Sequence, residues 1–92
     1  MSKDNILEVA YVMAQRDGFG SLTRDGVAVE AGVAMGTVNH HWLRMEALRD
    51  AVMQRAVEEE QLELIAQGMA LGHDVAKSAP LELRTRALTT LL

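Results

Sequence analysis

The sequence predicts an all-α protein: a three-helix head, a long fourth helix and a short C-terminal helix. Composition is the first reason. Apolar residues make up 49% of the 92 residues, aromatics only 3%, and proline occurs once, at Pro80. A chain this rich in Ala, Leu, Met and Glu favours helix. Periodicity is the second reason, because apolar residues recur three and four apart along most of the chain. Punctuation is the third. The stripes stop at Gly18-Phe19-Gly20, at Ala31-Gly32-Val33, between Gly68 and Gly72, and at Ser78-Ala79-Pro80.

The first segment runs from about Asn5 to Arg16. Ile6, Val9, Ala10, Met13 and Ala14 lie on one face, Asp4 or Asn5 is the expected N-cap, and Gly18 is free to take positive φ at the end. Phe19 follows as an apolar plug. The second segment starts at Thr23, whose hydroxyl can cap it, buries Val27, Ala28 and Ala31, and stops at Gly32. The third carries Met35 to His41; Val38 and Trp42 point inward, and Gly36, Thr37, Asn39 and His40 largely outward. The fourth is expected as one long helix from about Met45 to Gln67, with Leu48, Val52, Ala56, Leu62, Ile65 and Met69 on its apolar side. Glu58-Glu59-Glu60 interrupts that side and reads as a solvated face. The helix should end between Gly68 and Gly72, since each glycine costs ~1 kcal/mol inside a helix. The last segment opens with Ser78 or Ala79 as cap and Pro80 in the first turn, with Leu81, Leu88, Leu91 and Leu92 as its stripe.

Several function classes are excluded or unsupported. The chain has no cysteine, which removes disulfides, thiolate metal sites and cysteine catalysis. No apolar run approaches the ~20 residues of a membrane helix. His40 and His41 are adjacent, so on a helix they point about 100° apart and make a poor chelating pair. No metal or cofactor is expected. Ser, His and Asp occur, but not in a nucleophile-elbow or phosphate-loop setting, so no enzyme activity is expected. The six methionines read as adaptable core filler.

The central stretch from Val27 to Val38 carries the clearest signal. It is a short helix, a tight turn and a second short helix. Ala28 is small where the helices approach, Gly32 supplies the positive φ, and Val33 and Val38 hold the second helix against the first. This is the helix-turn-helix plan, whose second helix enters a major groove about 12 Å wide. The neighbouring residues add to it. Ile6-Leu7-Glu8-Val9-Ala10, Gly18-Phe19, Thr23, the run from Val27 to Trp42 and Glu46-Ala47-Leu48 keep the order and spacing of one family. From Ile6 to about Val52 the sequence resembles the DNA-binding domain of TetR-type repressors.

The resemblance implies a small transcriptional regulator, in its favoured form a repressor, that binds double-stranded operator DNA. It implies a cytoplasmic, nucleoid-associated protein of bacterial or phage origin. The residues in position to contact DNA are Thr23, Arg24, Met35, Gly36, Thr37, Asn39, His40 and Arg44. Ala34 stands where the family commonly has serine, Met35 where it has lysine, Asn39 where it has tyrosine, and Met45 where it has a basic residue. Residues 1–50 carry five basic and seven acidic side chains, a net charge of −2, so non-specific affinity for phosphate is expected to be weak. Asn39 can still pair with adenine, and the N-terminus of its helix can hold a phosphate. The same deficit of basic residues supports an alternative, a protein-interaction module such as an adaptor or antagonist that keeps the head without its phosphate contacts.

Residues 1–50 form the head in this reading, and residues 51–92 a helical extension packed with it as one compact unit. The extension is too short to enclose a ligand pocket of the usual few hundred Å³, which disfavours a ligand-sensing repressor. Its apolar stripes call for a homodimer, with Leu62, Ile65, Met69, Leu88 and Leu91 between subunits. A chain ending in Leu91-Leu92 also fits a piece of a longer protein.

Overall fold

Seven α-helices and one 3₁₀ turn, with no strand, make up the fold in a computed structural model that describes residues 1–92. Their order is α1 (Lys3–Asp17), the 3₁₀ turn Phe19–Ser21, α2 (Arg24–Ala31), α3 (Met35–His41), α4 (Met45–Glu58), α5 (Leu62–Ala70), α6 (Asp74–Lys77) and α7 (Leu81–Thr89). The all-α class and the helix-turn-helix head stand as expected. The molecule is elongated, 39 × 20 × 20 Å.

The head is built on α1. Its N-cap is Ser2, not Asp4 or Asn5. Ser2 Oγ accepts the Asn5 N–H at 3.1 Å while Asn5 Oδ1 accepts the Ser2 N–H at 3.2 Å, a capping box with Asn in the place usually held by Glu or Gln. Ile6, Ala10, Tyr11, Met13 and Ala14 face the core. Gly18 ends the helix at φ 99°. Thr23 Oγ1 caps α2 by accepting the Gly26 N–H at 3.1 Å. Gly32 then adopts φ 69°, ψ 33°, the left-handed conformation, and Val33 N–H closes the turn on the Ala28 carbonyl at 3.0 Å.

The expected long fourth helix is two helices. At Glu60 the chain takes φ 55°, a conformation any β-carbon resists. Glu60 N–H donates to the Val57 carbonyl at 3.2 Å and Gln61 N–H to the Ala56 carbonyl at 2.8 Å, so the end of α4 is closed as a glycine would close it. Arg86 Nη1 donates to Glu60 Oε1 at 2.8 Å and ties this corner to α7. The chain folds back at the corner, so α5 packs against α4, α6 and α7. At its own end, as expected, α5 stops between the two glycines, with Gly72 at φ 72°. A β-carbon on Gly68 would stand 2.7 Å from that of Ala76 and 2.5 Å from Met53 Cε, so this glycine is what lets α6 close on α5.

The fold-back corrects the expected subunit interface. Ile65 is fully buried within one chain and unavailable to a partner, because α5 turns that face onto its own core. Leu62 and Met69 are partly buried, while Leu88 and Leu91 remain exposed. On α7 the inward positions are Ala87 and, in part, Leu83; Leu81 and Leu88 point outward, and Leu91 and Leu92, beyond the helix end, are exposed, the reverse of the expected stripe. Pro80, not Ser78 or Ala79, is the residue preceding the first turn of α7. One hydrophobic cluster runs from Ile6 to Ala87 through all seven helices.

Arg55 joins α1 to α4. Its guanidinium pairs with Glu8 and with Glu59, the latter at 2.7 Å, and lies 4.2 Å from the centre of the Tyr11 ring. The Tyr11 hydroxyl donates to Glu59 Oε1 at 3.3 Å. Hydrogen bonding to Arg55 holds the Glu59 carboxyl below its usual range, and burial, with the Glu59 charge beside it, pushes the Tyr11 phenol up to about 12.

Two outcomes are expected. Gly32→Val should destabilise the fold by ~1–3 kcal/mol in chemical denaturation, through backbone strain alone, because no atom lies within 4 Å of its β-carbon position. The second concerns alkali. The phenol holds its proton more tightly folded than unfolded, so its contribution to stability is whole below pH 10.0 and declines as the pH rises toward about 12. Urea titrations at stepped pH should show that decline in the natural chain and a shallower one in Tyr11→Phe.

Candidate nucleic-acid interface

Helices of eight and seven residues, α2 and α3, meet at the Gly32 turn. Two side chains seat α3. Val38 is fully buried, and Trp42 is buried at its C-terminal end. The indole N–H donates to the Lys3 carbonyl at 3.1 Å, and the Lys3 ammonium lies 4.4 Å from the indole centre. The start of α1 therefore fixes the end of α3, and the polar atom of Trp42 is satisfied as a core anchor requires.

With Val38 and Trp42 inward, the opposite face of α3 is presented to solvent. Met35, Gly36, Asn39 and His40 are exposed there, with Thr37 partly buried beside them. The His40 and His41 rings meet edge-on, their centres 5.0 Å apart. Thr23 lies at the N-terminus of α2, its Oγ1 engaged in the cap. Arg44 follows α3 with 77% of its side chain exposed, and its Nε is 4.0 Å from Glu46 Oε2.

Arg24 is placed differently from a simple phosphate arm. From the first position of α2 its guanidinium crosses to the end of α3. Nη1 donates to the Trp42 carbonyl at 2.9 Å and to Asn39 Oδ1, and Nη2 donates to the Leu43 carbonyl at 3.2 Å. Carbonyls in the last turn of a helix lack partners within the helix, and a cation at that end also favours the helix dipole. Arg24 and Asn39, separately read from the sequence as contact residues, are thus one hydrogen-bonded unit.

Other basic residues of the head are already committed. Arg16 pairs with Asp17 at 2.8 Å and Glu30 at 2.9 Å, and hydrogen bonding to it holds both carboxyls below their usual range. Arg49 donates to the Leu22 carbonyl at 3.0 Å. Lys3, absent from the sequence reading of the site, stands beside α3 because of Trp42, a pairing across 39 positions that has no local signal. The surface also exposes apolar residues: Val29, Met35 and Leu43, the last 82% exposed in the turn after α3. A cleft of about 540 Å³ behind the head, between the Phe19 turn, the start of α4 and the His73 turn, is open to solvent.

The family model described as "Bacterial regulatory proteins, tetR family" matches residues 6–52, just over half of the chain. Comparisons with curated proteins and with solved structures each find no match. The matched span takes in most of α1, the 3₁₀ turn, α2, α3 and the first half of α4.

Trp42, the only tryptophan, reports on the seating of α3. Its fluorescence should be that of a shielded indole in the native chain and shift to the red on unfolding. Trp42→Phe, which keeps a ring but loses the N–H to Lys3, should lower stability by ~0.5–1.5 kcal/mol in urea denaturation.

Proposed function

Because the chain belongs to the tetR family of bacterial regulatory proteins, we propose that it is a small DNA-binding transcriptional regulator that reads operator DNA as a homodimer, with α3 in the major groove. A repressor is the favoured form, acting in the cytoplasm. The observation that carries the reading is the division of α3 into two faces: Val38 and Trp42 seat it, and Gly36, Thr37, Asn39 and His40 are left to a groove. Arg44 and Lys3 stand at its C-terminal end as candidates for phosphate.

Electrostatics shape how such a protein works. The head has a net charge of −2, and Arg16 is held by carboxylates. Affinity must then come from base contacts and from pairing two heads rather than from phosphate attraction. For the pairing, Leu88 on α7 and Leu91 just beyond it are the exposed apolar residues of the expected set, with Leu62 and Met69 contributing their open edges. The bare apolar side chains around α3, Leu43 above all, favour a second reading in which the head contacts a protein.

Selection of the full chain against a randomised duplex library at low salt separates the two. Recovery of a two-fold-symmetric motif supports the regulator; no enrichment by a folded chain favours the protein partner. Arg44→Ala should weaken all sequences alike and flatten the salt dependence by about one unit. Light scattering at micromolar concentration should report a dimer that Leu88→Glu converts to monomer, and a monomeric natural chain would remove the paired-head mechanism.

A further inference from the structure

Arg24 offers only donors. A guanidinium has five N–H groups and no acceptor, so it can face only the oxygen end of an amide. Its contact with Asn39 Oδ1 therefore sets which way that exposed side chain points. The guanidinium is itself fixed, because the Trp42 and Leu43 carbonyls hold it at 2.9 and 3.2 Å. The oxygen of Asn39 is turned to Arg24, and its Nδ2 hydrogens are turned away from the cation.

We propose that Arg24 is a specificity-determining positioning residue, which makes Asn39 a hydrogen-bond donor that reads guanine rather than an amide that reads adenine. The inference rests on the DNA-reading role proposed above and goes further by naming the base. An asparagine recognises adenine with both ends of its amide, accepting from N6 and donating to N7. Here the accepting end already serves a full positive charge, which opposes the approach of a second donor such as the adenine amino group. Guanine presents two acceptors, O6 and N7, on its major-groove edge. Those acceptors suit the free Nδ2 hydrogens and the cation behind them.

The test uses the full chain and its selected DNA site. The base pair that Asn39 reads is the one whose preference collapses in Asn39→Ala. At that pair the natural chain should favour guanine over adenine by on the order of tenfold. Arg24→Gln should move that pair toward adenine and leave the other positions as they were, whereas loss of a merely structural contact would weaken every sequence in parallel. Asn39→Asp keeps an oxygen for Arg24 but has no donor. It should move the same pair toward cytosine, whose amino group is a donor. Adenine preferred by the natural chain overturns the proposal, and so does an unchanged guanine-to-adenine ratio in Arg24→Gln. If Arg24→Gln does not fold, Asn39→Asp decides, and retained guanine preference overturns the proposal. Enrichment of a motif without guanine at the Asn39 position defeats this inference alone. No enrichment of any sequence defeats the DNA-reading role and this inference with it.

Discussion

Helices of seven and eight residues do not persist alone in water, because too few hydrogen bonds follow the costly first turn. α2 and α3 hold their shape only through what they are packed against. The rest of the head is organised around that constraint. Val38 and Trp42 press α3 onto α2 and α1, and the Lys3 carbonyl accepts the indole N–H. Arg24 then satisfies the carbonyls at the end of α3 from the beginning of α2. The end of α3 is completed by atoms from α1 and α2, so its outward face is defined by a network and not by the seven residues themselves.

The sequence was most legible where one residue type has one physical use. Gly18, Gly32 and Gly72 mark three chain reversals because only glycine adopts positive φ easily. Thr23 marks a helix start, and Val38 with Trp42 marks an inward face. Glu60 carried no such sign. It occupies a left-handed position that its type disfavours, and the acidic triplet read naturally as solvated helix. That single residue turns one expected long helix into two and moves Ile65 from an expected subunit interface into the chain's own core. The four residues of α6 are too few to show a period. On α7 the largest apolar side chains suggested the wrong face: Ala87 packs inward, and the leucines around it do not.

Part of the candidate site was legible and part was not. Periodicity sufficed to choose the exposed residues of α3. The coupling of Arg24 to Asn39 spans 15 residues and crosses two helices, and periodicity along one helix cannot report it. The same holds for Lys3 beside Trp42. The first follows from the Gly32 turn, which sets how α2 and α3 meet, and the second from the packing of α1 on α3.

The body behind the head grips it at a second point besides the Arg55 cluster on Glu8 and Tyr11. Gln67 on α5 extends its side-chain oxygen to the Phe19 N–H at 2.7 Å, and Phe19 packs edge-on against His73 with ring centres 5.0 Å apart. The link between the two halves is therefore a weld and not a tether. Had residues 51–92 hung on a flexible linker, two paired copies could hold their heads at any separation the linker allowed. Welded as they are, a pair would act as a caliper, with its jaw width set by the rigid body and with little slack for targets spaced a base pair too near or too far.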